Sequence, residues 1–275
     1  MREISIDELK QIQLDILLKI DEFCRKNGIE YFLDGGTGIG AARHKGYIPW
    51  DDDIDIGMTR PNYEKFIHSF NGVYPHLDLY ASELDWNYYV AHANVCDNRT
   101  RLVEALSDFR GFNLGVKVDI FPFDVTDTDY AASLRTHKKQ RHLLKLMSRK
   151  RRNLKTTWKT NKVNFVTCVL VRTLTCFISF SSLQKKMYHN ATRFRFEEGE
   201  YAYDMVNPFP KMVRCPRSAF DEYMDVEFEG HIVRTIKGYD TYLNALYPGY
   251  MTPPPEKDRV PHHGFTAYWL EADDK

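Results

Sequence analysis

Paired cysteines and a secretory leader are both missing from this sequence. Its five cysteines are odd in number and form no C-x-x-C pair: Cys24, Cys96, Cys168, Cys176 and Cys215. Free thiols in a reducing compartment are the simplest explanation, and no zinc site is indicated. The first residues, Met1-Arg2-Glu3, lead into a polar helix rather than an apolar leader segment. We therefore expect a cytoplasmic protein.

Acidic side chains are absent from residues 130–196, although the chain as a whole has no net charge. This segment holds 17 of the 38 Lys and Arg, so it carries +17 and the remainder carries −17. A charge block of this size usually marks a partner surface. An anionic membrane is the preferred partner, with a polyanionic substrate chain or a purely solvated surface as alternatives. Nucleic acid is not expected, because no DNA- or RNA-reading motif accompanies the charge.

The sequence also has no uninterrupted hydrophobic run of membrane-spanning length. Residues 163–183 come closest, but Asn164, several Thr and Ser, and a central Arg172 interrupt them. Placing an Arg at the centre of a bilayer costs about 2.5–3.5 kcal/mol on insertion scales. We expect this stretch to lie in the membrane interface or to pack on the core. With the basic segment beside it, it predicts peripheral attachment to the inner face of the cell membrane.

At 275 residues and 43% hydrophobic composition, the chain is long enough for one good core and an appended subdomain. A capping box, Ser5-x-x-Glu8, predicts a helix that stops at Asn27-Gly28. Further helices are predicted over residues 37–44 and 61–70. Apolar and alternating stretches predict strands over residues 31–33, 54–58, 77–81, 88–96, 101–105 and 115–122, the last limited by Pro122 to an edge or an end. We divide the chain into a core (1–129), a basic helical insertion (130–196) and a C-terminal part that completes the site (197–275).

Two carboxylates that alternate with isoleucines are the strongest chemical feature. Asp53 and Asp55 share one face of the predicted strand, roughly 7 Å apart, while Ile54 and Ile56 face the core. Two such charges are costly unless a cation lies between them, and oxygen ligands suit Mg2+. A calcium-binding EF-hand is excluded, because Ile56 and Asn62 occupy the positions that require Gly and Glu. Asp119, between Val118 and Ile120 on a second predicted strand, is a third candidate ligand.

Phosphate-binding features surround these acids. Gly35-Gly36 is a predicted turn whose backbone N–H groups can cradle a phosphate, and the Thr37 hydroxyl adds to it. Arg43, His44 and Lys45 follow and can reach the same phosphates. The combination predicts metal-assisted transfer of a phosphorus group.

These motifs resemble the LicD family. The resemblance covers both ends of the chain and the acidic strands, and it rests on Leu33-Asp34-Gly35-Gly36-Thr37, Arg43-His44-Lys45-Gly46, Ile48-Pro49-Trp50-Asp51-Asp52-Asp53-Ile54-Asp55, Val118-Asp119-Ile120-Phe121-Pro122 and the C-terminal Tyr250-Met251, Pro253-Pro254-Pro255-Glu256-Lys257, Arg259 and His262. Two positions depart from the family pattern. Gly38 replaces a bulky apolar residue, and Tyr247-Pro248-Gly249-Tyr250 lacks a usual Asp.

The resemblance implies a fold, a reaction and a site. The fold would be α/β (α+β), a nucleotidyltransferase-like mixed sheet with flanking helices. LicD proteins transfer phosphocholine to bacterial surface glycans and are distantly related to fukutin-type ribitol-phosphate transferases. The implied donor is CDP-choline and the implied acceptor is a sugar hydroxyl, on a glycan that can be lipid-linked, teichoic or capsular.

The implied roles follow from these substrates. Asp53, Asp55 and Asp119 are the catalytic residues and would hold one or two Mg2+, with Mn2+ as an alternative. The substrate-binding set is Gly35, Gly36, Thr37, Arg43, His44, Lys45, Trp50, Lys257, Arg259 and His262. Aromatic faces bind quaternary ammonium groups, so Trp50, Tyr47, Tyr88 and Tyr89 are candidates to hold choline.

Two other functions remain open at this stage. One is nucleotidyl transfer to a sugar phosphate or a nucleic acid, which would use the same carboxylates. The other is non-catalytic binding of a glycan or a membrane. The sequence also leaves the cargo open among phosphocholine, phosphoethanolamine and a polyol phosphate.

Overall fold

The computed structural model describes residues 1–104, 111–112, 114–260 and 264–271. Within them the strands, in chain order, are β1 (Arg2–Glu3), β2 (Phe32–Leu33), β3 (Asp55–Thr59), β4 (Leu77–Tyr80), β5 (Ala93–Asp97), β6 (Thr100–Glu104), β7 (Lys117–Thr126), β8 (Tyr201–Asp204), β9 (Cys215–Pro216), β10 (Tyr223–Phe228), β11 (His231–Ile236) and β12 (Phe265–Trp269). The helices are α1 (Ile6–Asn27), α2 (Gly35–His44), α3 (Arg60–Ile67), α4 (Tyr130–Arg151), α5 (Leu154–Thr160), α6 (Lys162–Leu174), α7 (Phe180–Ala191) and α8 (Tyr239–Leu246).

The central feature is a mixed sheet in the order β2-β3-β7-β5-β4, to which β8 and β9 add beside β7. Strands β3 and β7 run parallel, and the other pairs in this sheet are antiparallel. Helix α1 packs on the sheet through Leu17 and Ile20, which are completely buried. The predicted mixed sheet with flanking helices is therefore confirmed.

Local signals placed α1 correctly at both ends. Ser5 and Glu8 form the reciprocal capping box, and Gly28 ends the helix in the left-handed conformation at φ 58°. Helix α2 begins earlier than predicted, because Asp34 caps it through Gly35 N–H. The predicted Gly-Gly turn is thus the first turn of a helix.

The prediction for Pro122 was wrong. Strand β7 continues through Pro122 to Thr126, in the middle of the sheet. On one side Pro122 is paired in register with Met58 of β3. On the other side β5 pairs with residues 117–120 and β8 with residues 123–126. The proline, which lacks an N–H, therefore lies in the gap between the residues that pair with β5 and those that pair with β8. No hydrogen bond of the sheet is lost there.

Two other predicted elements also differ from the structure. The predicted strand over residues 88–96 begins only at Ala93. Residues 163–183 are not one helix, since α6 ends at Leu174 and α7 begins at Phe180. Helix α7 packs on the core through Leu183 and Met187, whereas α6 buries only Cys168. Within the described residues, no helix combines the length and the apolar character that a bilayer crossing needs.

Candidate active site

The acidic residues meet where β3 and β7 lie side by side. Asp55 and Asp119 are paired in register across these parallel strands. Asp119 N–H donates to Ile54 O at 3.1 Å, which locks the start of the two strands together. Asp53 comes just before β3 rather than within it, so the predicted strand geometry applies to Asp55 but not to Asp53.

The pKa of Asp55 is raised well above its usual value, first by desolvation and then by the charges of Asp53, Asp119 and Asp34. Such an arrangement favours a cation, because removing solvent from neighbouring carboxylates leaves their repulsion unscreened. Asp51, Asp52 and Asp53 also bring ligand oxygens within 4.8 Å of one another, the one such cluster found in the described residues. These all-oxygen groups fit a hard divalent ion such as Mg2+.

Polar side chains of the same sheet hold Asp119. Lys117 Nζ lies 2.6 Å from Asp119 Oδ2, and Asn94 Nδ2 donates to Asp119 Oδ1. Burial is the largest single influence and lowers the pKa of Lys117, but the charge and hydrogen bond of Asp119, together with Tyr89 and Cys96, raise it overall. Ligation of a metal by Asp119 would therefore have to exchange a lysine contact for a metal contact.

Asp53 lines two cavities. The larger, about 770 Å³, is lined by Asp53 and Asp55 together with Gly36, Arg43, Trp50 and Tyr247. The smaller, about 170 Å³, is lined by Asp53 and Asp119 together with Tyr89, His92, Lys117 and Arg151. Asp53 thus borders both a roomy cavity and a compact one.

The first turn of α2 is shaped by close approach to the acids. A Cβ added at Gly36 would lie 2.5 Å from Asp51 Oδ2, so only glycine fits there without moving Asp51. Gly35 has φ +46°, a conformation that side chains rarely adopt. Thr37 is buried, and its Oγ1 accepts a hydrogen bond from Asp55 N–H at 2.9 Å. The Thr37 hydroxyl, which was predicted to bind phosphate, therefore joins α2 to β3.

Of the three basic residues after this turn, only Arg43 lines the larger cavity, where it donates to Tyr250 O. His44 accepts a hydrogen bond from Arg43 Nε at 2.9 Å, and burial lowers the pKa of His44. Lys45 is exposed and pairs with Glu227 at 3.1 Å, so its side chain is engaged outside both cavities.

The C-terminal residues contribute unequally. Arg259 lies over the Trp50 ring at 5.4 Å from its centre, so it reaches the wall of the larger cavity. Lys257 is exposed on a short 3-10 turn and does not line either cavity. His262 lies outside the described residues.

Two of the four aromatic candidates line one of the two cavities, although Tyr89 is itself only 4% exposed. Tyr47 and Tyr88 are buried, and their hydroxyls are bonded to Lys10 O and Asn94 respectively. Trp50 lines the larger cavity, and Tyr89 lines the smaller one under the Arg151 guanidinium.

The residues that sequence reasoning missed include Tyr247, His92, Lys117 and Arg151. Lys117 could have been found, because it lies two residues before Asp119 on the same strand and therefore shares its face. Arg151 was hidden within the basic segment, where nothing distinguishes it from its neighbours. Its Nη1 donates to Tyr89 O at 2.9 Å, so the insertion reaches the smaller cavity.

Comparison with known proteins identifies the family of this chain. Residues 28–150 match the family model described as LicD/FKTN/FKRP, nucleotidyltransferase domain. The chain is 31% identical over 275 residues to the lipopolysaccharide cholinephosphotransferase LicD of Haemophilus influenzae, covering 98% of this chain and all of that protein. This chain therefore belongs to the LicD family.

Two further relatives match shorter segments. An uncharacterized protein of Rickettsia typhi is 42% identical over 69 residues, 25% of this chain and 21% of that one. The human ribitol 5-phosphate transferase FKRP is 55% identical over 31 residues, 11% of this chain and 6% of that protein. The similarity to FKRP is thus strong but local.

Proposed function

We propose that this protein transfers phosphocholine from CDP-choline to a hydroxyl group of a lipopolysaccharide or related surface glycan, with Mg2+ as cofactor. Membership of the LicD family and full-length similarity to a lipopolysaccharide cholinephosphotransferase support this reaction. The observation that carries the proposal is the position of Asp53, which borders both cavities beside Asp55 and Asp119. Such an arrangement suits a donor and an acceptor that meet at one phosphorus atom.

In this proposal the larger cavity holds the CDP-linked donor. Arg43 supplies positive charge to the diphosphate, and Trp50 and Tyr247 offer aromatic walls. Asp53 and Asp55, supported by Asp51, would hold Mg2+. Bound there, the ion would neutralise the diphosphate and stabilise the departing CMP.

The smaller cavity takes the acceptor sugar. Its hydroxyl oxygen forms the new P–O bond while the bond from phosphorus to the CMP oxygen breaks. Asp119 would receive the hydroxyl proton, and its position on the wall of this cavity, in register with Asp55 of the neighbouring strand, supports this role. Lys117 and Arg151 hold the acceptor in place by hydrogen bonds.

Incubating the purified protein with Mg2+, a lipopolysaccharide acceptor and a panel of CDP-linked donors tests the proposal. We expect CMP release with CDP-choline and a choline-labelled glycan. Release with CDP-ethanolamine or a CDP-polyol instead would change the cargo but keep the reaction class. Pyrophosphate release from CTP would identify a nucleotidyltransferase, and no release with any donor would favour a binding protein.

A further inference from the structure

Helix α6 exposes a continuous apolar stripe. Val163, Val166, Leu170 and Leu174 recur at spacings of three and four residues, so they share one face of the helix. Their exposures are 76%, 52%, 56% and 80%, and Phe177, just beyond the helix, is 99% exposed. Isolated exposed apolar residues are ordinary, but a contiguous row of this length marks a surface that meets an apolar partner.

The opposite face of α6 fixes the helix to the end of α4. Cys168 is buried on that face, and Arg172 Nη2 donates to Lys150 O at 2.9 Å and to Arg152 O. Arg172, which interrupts the apolar run in the sequence, therefore attaches α6 to the end of α4 by hydrogen bonds. The apolar stripe therefore faces solvent on a helix that α4 holds in place.

Basic and aromatic residues lie at the start of the stripe. Lys155, Lys159 and Lys162 are exposed on α5 and at the start of α6. Trp158, 51% exposed, packs edge-on against Phe165 and lies under the Lys162 ammonium at 5.6 Å. Lysines beside an apolar stripe, with a tryptophan at the border, are the composition of an interfacial membrane helix.

The charge of the segment favours a lipid surface over a second copy of this chain. Residues 130–196 carry +17 without one acidic side chain, so pairing two such faces would bring like charges together. An anionic bilayer supplies negative headgroups for the lysines and an apolar layer for the stripe.

We infer that the α6 stripe, made of Val163, Val166, Leu170, Leu174 and Phe177, inserts into an anionic membrane surface while Lys155, Lys159 and Lys162 contact the lipid headgroups. Arg151, in the turn of α4 that bonds to α6, lines the smaller cavity. A membrane-bound α6 would therefore hold that cavity close to the lipid. The inference concerns binding alone and does not rest on the proposed transfer reaction.

Flotation of the full chain with vesicles tests this inference. We expect binding to vesicles of phosphatidylcholine and phosphatidylglycerol in equal parts, and little binding to phosphatidylcholine alone. The variant Leu170→Ser/Leu174→Ser/Phe177→Ser should lower the partition coefficient by about tenfold or more. The variant Lys155→Gln/Lys159→Gln/Lys162→Gln should remove the preference for phosphatidylglycerol. The control Val73→Ser/Ile232→Ser, which changes apolar residues of 47% and 59% exposure elsewhere, should bind like the parent.

A label placed within the surface gives a second, local measurement. Cys176 is exposed and adjoins Phe177, whereas the other four cysteines are buried. A polarity-sensitive fluorophore on Cys176 should shift to the blue with anionic vesicles. Absence of binding by the parent, equal binding by the stripe variant, or no shift at Cys176 would each overturn the inference. So would a dimer, measured by sedimentation, that the stripe variant alone dissociates.

Discussion

Asp55 and Asp119 are direct partners in register on the parallel strands β3 and β7. Sixty-three residues of chain separate them, yet the sheet places them side by side, with Asp53 just before β3 on the wall of both cavities. The chemistry of the site follows from this pairing, because neighbouring carboxylates in a desolvated place need a cation or a proton.

Asp55→Asn should raise the melting temperature without metal and abolish the response to Mg2+. The change removes one charge from a cluster whose repulsion, after desolvation, raises the pKa of Asp55. In the parent, Mg2+ at a hundred times its dissociation constant should add about 2.7 kcal/mol to the free energy of unfolding. Thermal melts with Mg2+ and with EDTA measure both effects. Asp7→Asn, an exposed change on α1, should leave both unchanged, and an Asp55→Asn variant that still responds to Mg2+ would remove Asp55 from the metal site.

Trp50→Leu should raise the KM for CDP-choline by roughly tenfold, in line with the roughly 1–2 kcal/mol of a partly desolvated cation–π contact. Trp50→Phe should recover part of the loss, because it keeps an aromatic face. The KM for a CDP-polyol, which has no cationic cargo, should change little. Arg259→Gln is the control, because Arg259 covers the same ring. Equal losses for all donors in both variants would show that Trp50 only supports Arg259.

Arg151→Gln should raise the KM for the acceptor by about tenfold and leave the KM for the donor unchanged, because a hydrogen bond to a charged group contributes roughly 1.5–3 kcal/mol. Arg151 lines only the smaller of the two cavities. The neighbouring Arg152→Gln makes the same change of charge, but Arg152 lines neither of these two cavities. Steady-state kinetics with each substrate varied separately distinguish the effects, and a donor-side loss in Arg151→Gln would reverse the assignment of the cavities.

Local signals predicted the elements that depend on nearby residues. The Ser5–Glu8 capping box and Gly28 set both ends of α1 through contacts within a few residues. The alternation of Asp119 with Val118 and Ile120 likewise predicted a strand that exists. Pro122 was misjudged, because its cost depends on which strand lies opposite, and that is decided by β5 and β8 from distant parts of the chain.

Part of the site was predictable from residues that share a compact motif. Asp53, Asp55 and Gly36 belong to compact motifs and do lie together. His92 and Arg151 reach the smaller cavity from separate segments, and no spacing in the sequence links them. Lys45 adjoins Arg43 and His44 in sequence, but it ends α2 in the left-handed conformation and its side chain pairs with Glu227.

Gly36→Ala should lower kcat by about tenfold or more while the fold persists. The added Cβ would meet Asp51 Oδ2 at 2.5 Å and push that carboxylate out of the acidic cluster. A displacement near 1 Å at a reacting centre can cost roughly a hundredfold in rate. The test is a double-mutant cycle with Asp51→Ala. Gly36→Ala should have a much smaller effect in the Asp51→Ala background, and equal effects in both backgrounds would place the role of Gly36 elsewhere.

Asp204 should make the protein less stable as the pH rises. Desolvation raises the pKa of Asp204 from 3.8 to about 8, and the charge of Asp34 adds to this, although Val206 and Asn207 N–H groups partly oppose it. The unfolded chain loses this proton near pH 4 and the folded protein only near pH 8, so the stability from Asp204 is full below pH 4 and is lost as the pH rises through about 8.

Asp204→Asn cannot ionise and keeps an oxygen to accept both backbone bonds. Because Asp204 retains some solvent contact, we expect the variant to reduce the loss of unfolding free energy between pH 5 and pH 8 by on the order of 1 kcal/mol. Urea titrations at the two pH values measure this difference. The control Glu222→Gln, at an exposed position, should show the same pH dependence as the parent. If the parent and Asp204→Asn lose stability in parallel as the pH rises, Asp204 is already ionised in the folded protein at pH 5.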